Sequence, residues 1–330
     1  MSVNIQQDYF WLHSAYSQLM QPILQQRAHH AWLIGYVHGC GEQRLIQQLI
    51  ARLLCLSPKG ELPCGHCHSC LLVEAQTHPD YHHLMVEKDK KFISVEQVRQ
   101  LTEKVYEHAQ QGGAKVIWID NAVLMTEAAA NALLKTLEEP PANTYFILTD
   151  NQVQRLMPTI RSRCFQFMIA APELVVGMKW LQPQYPDYSE NQIATALLLN
   201  EQAPLAAAHL LQPEHWQIRL QFCQTLTESL KQGMFWPLLS KITTTEQAIW
   251  VIDWFCSFLL DALKAKNSAG RFVTNRDQVP LIRLLAQSEI EKINHWYDIW
   301  CEASLKLTTI SGLNQELIIA DLLAQSEIAQ

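Results

Sequence analysis

Four cysteines carry the plainest chemical signal in the chain. They read Cys55-x8-Cys64-x2-Cys67-x2-Cys70. A gap of two residues lets successive thiolates point at one ion from a tight turn, and four sulfurs supply the closed tetrahedral shell of a structural zinc site. Pro63, Gly65 and Ser69 supply turn-forming residues inside the loop. His66 and His68 can in principle replace a thiolate, but four cysteines need no substitute. Disulfides or plain buried thiols are the alternative. In a reduced cytoplasmic compartment metal ligation is favoured over both. A closed shell leaves no position for water, so zinc catalysis is not expected. The other five cysteines, Cys40, Cys164, Cys223, Cys256 and Cys301, are scattered and read as small buried side chains.

Two further stretches can be tested for phosphate chemistry. A phosphate-binding loop has the form G-x-x-x-x-G-K-[ST], with lysine on the β/γ-phosphates and the hydroxyl on magnesium. Here the corresponding run is Tyr36-Val37-His38-Gly39-Cys40-Gly41-Glu42-Gln43. Turn glycines survive, but Glu42 stands where lysine belongs and Gln43 where Ser or Thr belongs. A carboxylate there repels a triphosphate. The second stretch is Asp120-Asn121. A phosphate-cleaving site of this type ends its strand in Asp-Glu, one residue supporting magnesium and the other orienting water. With that pair missing, Asp120 reads as a cap of the following turn, and autonomous hydrolysis is not expected.

The elements around these residues alternate between strand and helix. Apolar runs predict strands at Ala31–Tyr36, Tyr81–Val86, Ala114–Ile119 and Tyr145–Thr149, with a fifth at Phe165–Phe167. Helices are expected from Glu42 to Cys55, from Ser94 to about Gln110, and from Thr126 to Glu139. Ser94 with Gln97 forms a capping-box pattern, and Pro140-Pro141 closes the last helix. Such alternation argues for a parallel sheet covered on both faces, whose ligands bind beyond the carboxyl ends of the strands.

Length and composition set the outer bounds. At 330 residues the chain is too long for one ordinary core. Hydrophobic residues at 48% and charged residues at 17% fit a folded protein rather than a disordered one. The most apolar stretch, Val251–Leu263, is too short to span a bilayer and carries Asp253 and Asp261. The N-terminus lacks the basic-then-apolar pattern of a secretory signal, so a cytoplasmic protein with no membrane partner is expected. Net charge is −7, with the acidic excess in the second half. An autonomous nucleic-acid binder needs the opposite balance.

One longer motif makes the reading specific. Ala128-Ala-Ala-Asn-Ala-Leu-Leu-Lys-Thr-Leu-Glu-Glu-Pro-Pro141, followed by a strand and then Ser162-Arg163-Cys164, resembles the clamp-loader subunits of bacterial DNA polymerase III, members of the AAA+ superfamily. The cysteine module after the first helix is also characteristic of that family. The resemblance covers at least residues 22–169 and continues more weakly to the C-terminus. It implies an α/β N-terminal domain over 1–169, an AAA+ P-loop-like parallel sheet with the zinc module (55–70) inserted. An all-α lid over 170–211 and an all-α collar over 212–330 are expected to follow. The family contains motor subunits with an intact P-loop and a non-motor type with a degenerate one. Glu42 and Gln43 place this chain with the latter. The stretch Gln202–Leu211 also lacks the nucleotide-sensing arginine of the motors.

The resemblance gives Arg163 a role. In this family the arginine of the Ser-Arg-Cys triplet projects into the neighbouring subunit's ATP site as an arginine finger. A local salt bridge is the commoner fate of a lone arginine. The resemblance further implies motor (gamma/tau) and delta subunits as partners, with the sliding clamp and primed DNA met through the assembled complex. It implies no functional ATP site in this chain and Zn2+ as the only cofactor. Two readings compete with this one: an ATP-hydrolysing motor subunit, and a zinc-dependent DNA-binding protein. In the second half, Val251, Phe255, Phe258, Leu259 and Ala262 predict one broad apolar helix face, and Leu313–Leu323 another amphipathic run.

Overall fold

A computed structural model describes residues 8–241, 244–309 and 314–328 of the chain. It contains two compact units, Met1–Ala171 and Pro172–Gln330.

The first unit is built on five strands: β1 (Ala31–Tyr36), β2 (Tyr81–Leu84), β3 (Lys115–Ile119), β4 (Thr144–Asp150) and β5 (Phe165–Ile169). Their order is β2-β3-β4-β1-β5, and every pairing is parallel. Among the described residues six α-helices accompany them: α1 (His13–Leu24), α2 (Glu42–Leu54), α3 (His68–Glu74), α4 (Val95–Tyr106), α5 (Glu127–Glu138) and the short α6 (Pro158–Arg161).

Alternating side chains of each strand point to opposite faces. Ala31 and Leu33 of β1 join one core with Val98 and Leu101 of α4 and Leu133 and Leu137 of α5. Trp32, Ile34 and Tyr36 join the other with Leu19 and Met20 of α1 and Leu45 and Leu49 of α2. Both faces are covered, which is why these strands read as continuous apolar runs without polar alternation.

The expected strands are all present. β1 keeps its expected bounds, while β5 continues two residues further, to Ile169. The helix expected to run to about Gln110 stops at Tyr106 instead. Its end is capped from elsewhere in the fold. The Lys115 ammonium, itself buried, donates to the carbonyls of Val105 and Glu107. The Asp80 carboxylate accepts from the N–H groups of Gln110 and Gln111 at 2.7 and 2.8 Å. The expected capping box of Ser94 with Gln97 forms, and Thr126, the expected start of α5, caps Ala129 N–H. Helix α1 has no counterpart among the expected elements. It buries Tyr16, Leu19 and Met20 and carries Pro22 within its length.

The second unit is helical. Three short helices, α7 (Leu174–Leu181), α8 (Glu190–Leu199) and α9 (Pro204–Leu210), occupy the stretch expected as a lid. Five follow: α10 (Pro213–Gln232), α11 (Thr245–Lys266), α12 (Val279–Leu285), α13 (Ile290–Thr309) and α14 (Gln315–Ile328). Leu181, Ile193 and Leu211 share one apolar core with Phe222, Phe255, Trp296 and Leu323. The predicted face of Val251, Phe255, Phe258, Leu259 and Ala262 lies in that core, each residue at most 1% exposed. Leu313, the start of the last predicted run, lies outside the described residues. Arg219 is fully buried and donates to Asn275 Oδ1 at 2.8 Å and Asp277 Oδ1 at 3.0 Å, with Trp216, Trp254 and Phe258 ringing its guanidinium. No helix among the described residues is long and apolar enough to cross a membrane.

Candidate functional site

The four cysteines of the predicted module come together. Cys55 caps the C-terminal end of α2, Cys67 caps the N-terminal end of α3, and Cys70 lies in the first turn of α3. Their sulfurs all lie within 4.8 Å of one another. Cys55 to Cys67 and Cys64 to Cys70 are each 3.9 Å apart. A disulfide requires about 2.05 Å, so none is formed. A tetrahedron with metal–sulfur bonds of about 2.3 Å has edges of about 3.8 Å. The spacing therefore matches four thiolates around one ion, and the cluster can hold a metal.

Backbone geometry supports the charged form. N–H groups of Cys64, Cys67 and Cys70 donate to the sulfurs of Cys55, Cys64 and Cys67 at 3.3, 3.3 and 3.4 Å. The N–H of His66, with that of Cys67, pulls the Cys64 thiol down to about 6. Burial pushes Cys55 and Cys70 the other way. Only a bound cation makes four adjacent thiolates compatible. Neither histidine joins them. The exposed His66 directs its Nδ1 to the Cys64 carbonyl at 2.8 Å, and His68 is outside the cluster.

Ser69 does not serve as a turn residue, as its type suggested. It is a fully buried member of α3. Its hydroxyl donates to the Leu54 carbonyl at 2.6 Å and meets His78 Nε2 at 2.6 Å. His78 Nδ1 accepts from Asp80 N–H at 3.1 Å, so its proton lies on Nε2 and is donated to Ser69. This relay clamps α3 to the end of α2, on either side of Cys55 and Cys70. Helix α1 holds the intervening loop. Tyr16 donates to the Glu61 carbonyl at 2.6 Å, and Ser17 to the Glu61 carboxylate at 2.8 Å.

The second candidate region lies at the carboxyl ends of β1, β3 and β4. Adjacent β1 and β4 send their following segments to opposite faces, α2 to one and Val153, Leu156 and Ile160 to the other. That divergence makes the ligand-binding crevice of such sheets. Gly39 and Gly41 adopt the left-handed region, φ 83° and 90°, so the turn keeps its phosphate-loop shape. Its chemistry is reversed. The Glu42 carboxylate is 6% exposed and folds back to Gly39 N–H and to His38 Nδ1, each at 3.4 Å. Burial and then the charges of Asp120, Glu42 and Asp150 push the Tyr36 phenol well above its usual range. Three carboxylates thus act on Tyr36 at the end of β1. Asp120 caps the turn as expected, accepting from Asn121 N–H and from Thr149 Oγ1 at 3.0 and 2.9 Å.

Arg163 lies between α6 and β5, with its side chain 33% exposed. Its Nε donates to Glu138 Oε1 at 2.7 Å, Nη2 to the same oxygen, and Nη1 to the Thr159 carbonyl at 2.9 Å. A guanidinium has five N–H donors, so one on each terminal nitrogen is left over.

Comparison with known proteins places the chain. The family profile described as "DNA polymerase III, delta subunit" matches residues 11–173, and "DNA polymerase III, delta subunit, C terminal" matches 213–327. DNA polymerase III subunit delta' of Yersinia pestis is 43% identical, over 97% of this chain and 96% of its own length. The subunit delta' of Escherichia coli K12 is 41% identical, over 97% and 95%. The chain belongs to the DNA polymerase III subunit delta' family. Likeness to a gamma subunit is narrower: that of Buchnera aphidicola is 33% identical over 43% of this chain and 39% of its own length. Delta' membership thus rests on both units, whereas the gamma likeness is partial.

For this delta' family member, sequence reasoning located the cysteines, the altered loop and Arg163, and missed Ser69, His78 and Glu138 as their supports. The two histidine-relay residues carried no periodic signal. Glu138 sits within the Leu-Glu-Glu-Pro-Pro run that marked the family, where it looked like a solvated helix end.

Proposed function

We propose that this chain is a non-hydrolysing clamp-loader subunit that lends Arg163 to the ATP site of a neighbouring motor subunit. The observation that carries this reading is a contrast. The chain's own phosphate turn holds a carboxylate where a lysine is required, while Arg163 stands partly exposed with donors to spare. In trans, the guanidinium neutralises charge developing on the transferring phosphoryl group, a contribution of about 10³–10⁵ in rate. Gamma/tau motor and delta subunits are the partners of this reading, and the sliding clamp and primed DNA are met in the assembled complex. Residues 170–211 act as lid and 212–330 as collar, in a cytoplasmic protein. The ion of the cysteine cluster is zinc, because a closed tetrahedral S4 set suits it and offers no open catalytic position. Its role is to tie the Cys55–Cys70 loop to α2 and α3.

The test is ATP binding and hydrolysis by the full chain alone, followed by addition of motor and delta subunits. No binding or turnover alone, co-purification with both partners, and turnover only in the assembly are expected. Stoichiometric ATP hydrolysis by the isolated chain would favour the motor reading instead.

A further inference from the structure

We propose that Glu42 is an internal stand-in for phosphate, its carboxylate filling the oxyanion-binding turn after β1 and closing it to external oxyanions. This deepens the non-hydrolysing reading and rests on it. The loss of lysine explains weak binding; an occupied turn explains active exclusion.

The carboxylate sits at a helix N-terminus, the kind of place where phosphates bind. α2 begins at Glu42, and its thirteen residues present a positive partial charge at their N-terminus. Gly41 precedes it as a left-handed cap with no side-chain oxygen of its own. The Glu42 side chain turns back over this end. Oε1 accepts from Gly39 N–H, and His38 closes the outer side from an exposed position. Oε2 is buried with no hydrogen-bond partner. Its side chain, only 7% exposed, is therefore directed into an anion cradle that satisfies only half of its carboxylate. Burial alone raises a carboxyl's pKa. Here His38 and the N–H groups of Glu42 and Gly39 outweigh burial, so the group stays below its usual range and remains charged. A tethered carboxylate is present at a high effective concentration and excludes a diffusing oxyanion that wants the same donors. The ligand class latent in the turn is phosphate and pyrophosphate.

The experiment uses the full chain, with inorganic pyrophosphate as probe, followed by thermal melting and titration calorimetry. Wild type should show no pyrophosphate-dependent shift. Glu42→Ala should melt lower, and pyrophosphate should raise its Tm saturably. Glu42→Gln, which keeps the side-chain volume and guards against misfolding, should gain a smaller pyrophosphate response. Folded Ala and Gln variants that ignore pyrophosphate would overturn the proposal and leave the non-hydrolysing reading standing. So would a wild type that responds as strongly as the variants. ATP turnover by the wild type would instead contradict the reading beneath it.

Discussion

Arg163 and Glu138 form an ion pair that joins the C-terminal end of α5 to the segment ahead of β5, with Nε 2.7 Å from Oε1. Both side chains are substantially exposed, 33% and 48%. Exposed pairs contribute about 0–1 kcal/mol, so the contact orients the guanidinium more than it stabilises the fold. Glu138→Ala should therefore shift the melting of the chain little. In the assembled complex it should leave ATP turnover far above that of Arg163→Ala. A loss as large as that of Arg163→Ala would mean that Glu138 is an essential positioning partner.

Replacing one cysteine tests the proposed metal site. Cys67→Ser removes a thiolate but keeps a side-chain oxygen that can cap Cys70 N–H, so its effect reports on the metal. Metal analysis of protein purified without chelator should give one zinc per wild-type chain and a marked loss in the variant, together with a lower Tm. A wild-type chain free of metal would remove zinc from the account.

His78 supplies a pH test. It is 5% exposed, and burial, with a smaller contribution from His68, outweighs the attraction of Asp80 and depresses its pKa. The unfolded chain thus takes up this proton first as pH falls. Stability from the neutral imidazole is complete above its ordinary value of about 6.5 and declines below it. Tm measured from neutral to mildly acidic pH should fall more steeply in wild type than in His78→Asn. At neutral pH the variant should lose about 0.5–1.5 kcal/mol with the hydrogen bond that Ser69 Oγ accepts from His78. Parallel pH profiles would show that the relay does not titrate.

The buried pair of the helical unit predicts a larger effect. Arg219 and Asp277 are 0% and 3% exposed at their side chains and 3.0 Å apart. Arg219→Met leaves Asp277 buried without its cation, a change that costs about 3–5 kcal/mol. Chemical denaturation should show that loss, and Arg219→Met combined with Asp277→Leu should recover part of it. A single variant as stable as wild type would contradict the ion-pair assignment.

What the sequence reveals, and what it hides, follows from the range of each interaction. The bounds of β1, the capping box of Ser94 and the clustering of the four cysteines depend on neighbours in sequence, and all were legible there. The end of α4 depends on Lys115 and Asp80, up to 31 residues away, and was placed four residues too late. Ser69 meets His78 across nine residues and Arg163 meets Glu138 across 25; no periodicity or local motif encodes either contact. The exchange of lysine for Glu42 was plain from the P-loop pattern. That its carboxylate folds back into the turn became visible only with the backbone at Gly39 and Gly41 in place.

On the proposed reading this chain contributes to catalysis in a neighbour's ATP site. This contribution is tested most directly by DNA-stimulated ATP hydrolysis in a complex reconstituted from motor, delta and this subunit, comparing wild type with Arg163→Ala and Arg163→Lys. The account predicts intact assembly, with turnover at the adjoining ATP site reduced by about 10³–10⁵ in the alanine variant. Lysine should rescue poorly, because it lacks the planar fork of donors. Assembled complexes that hydrolyse ATP at the wild-type rate at that site with Arg163→Ala would contradict it.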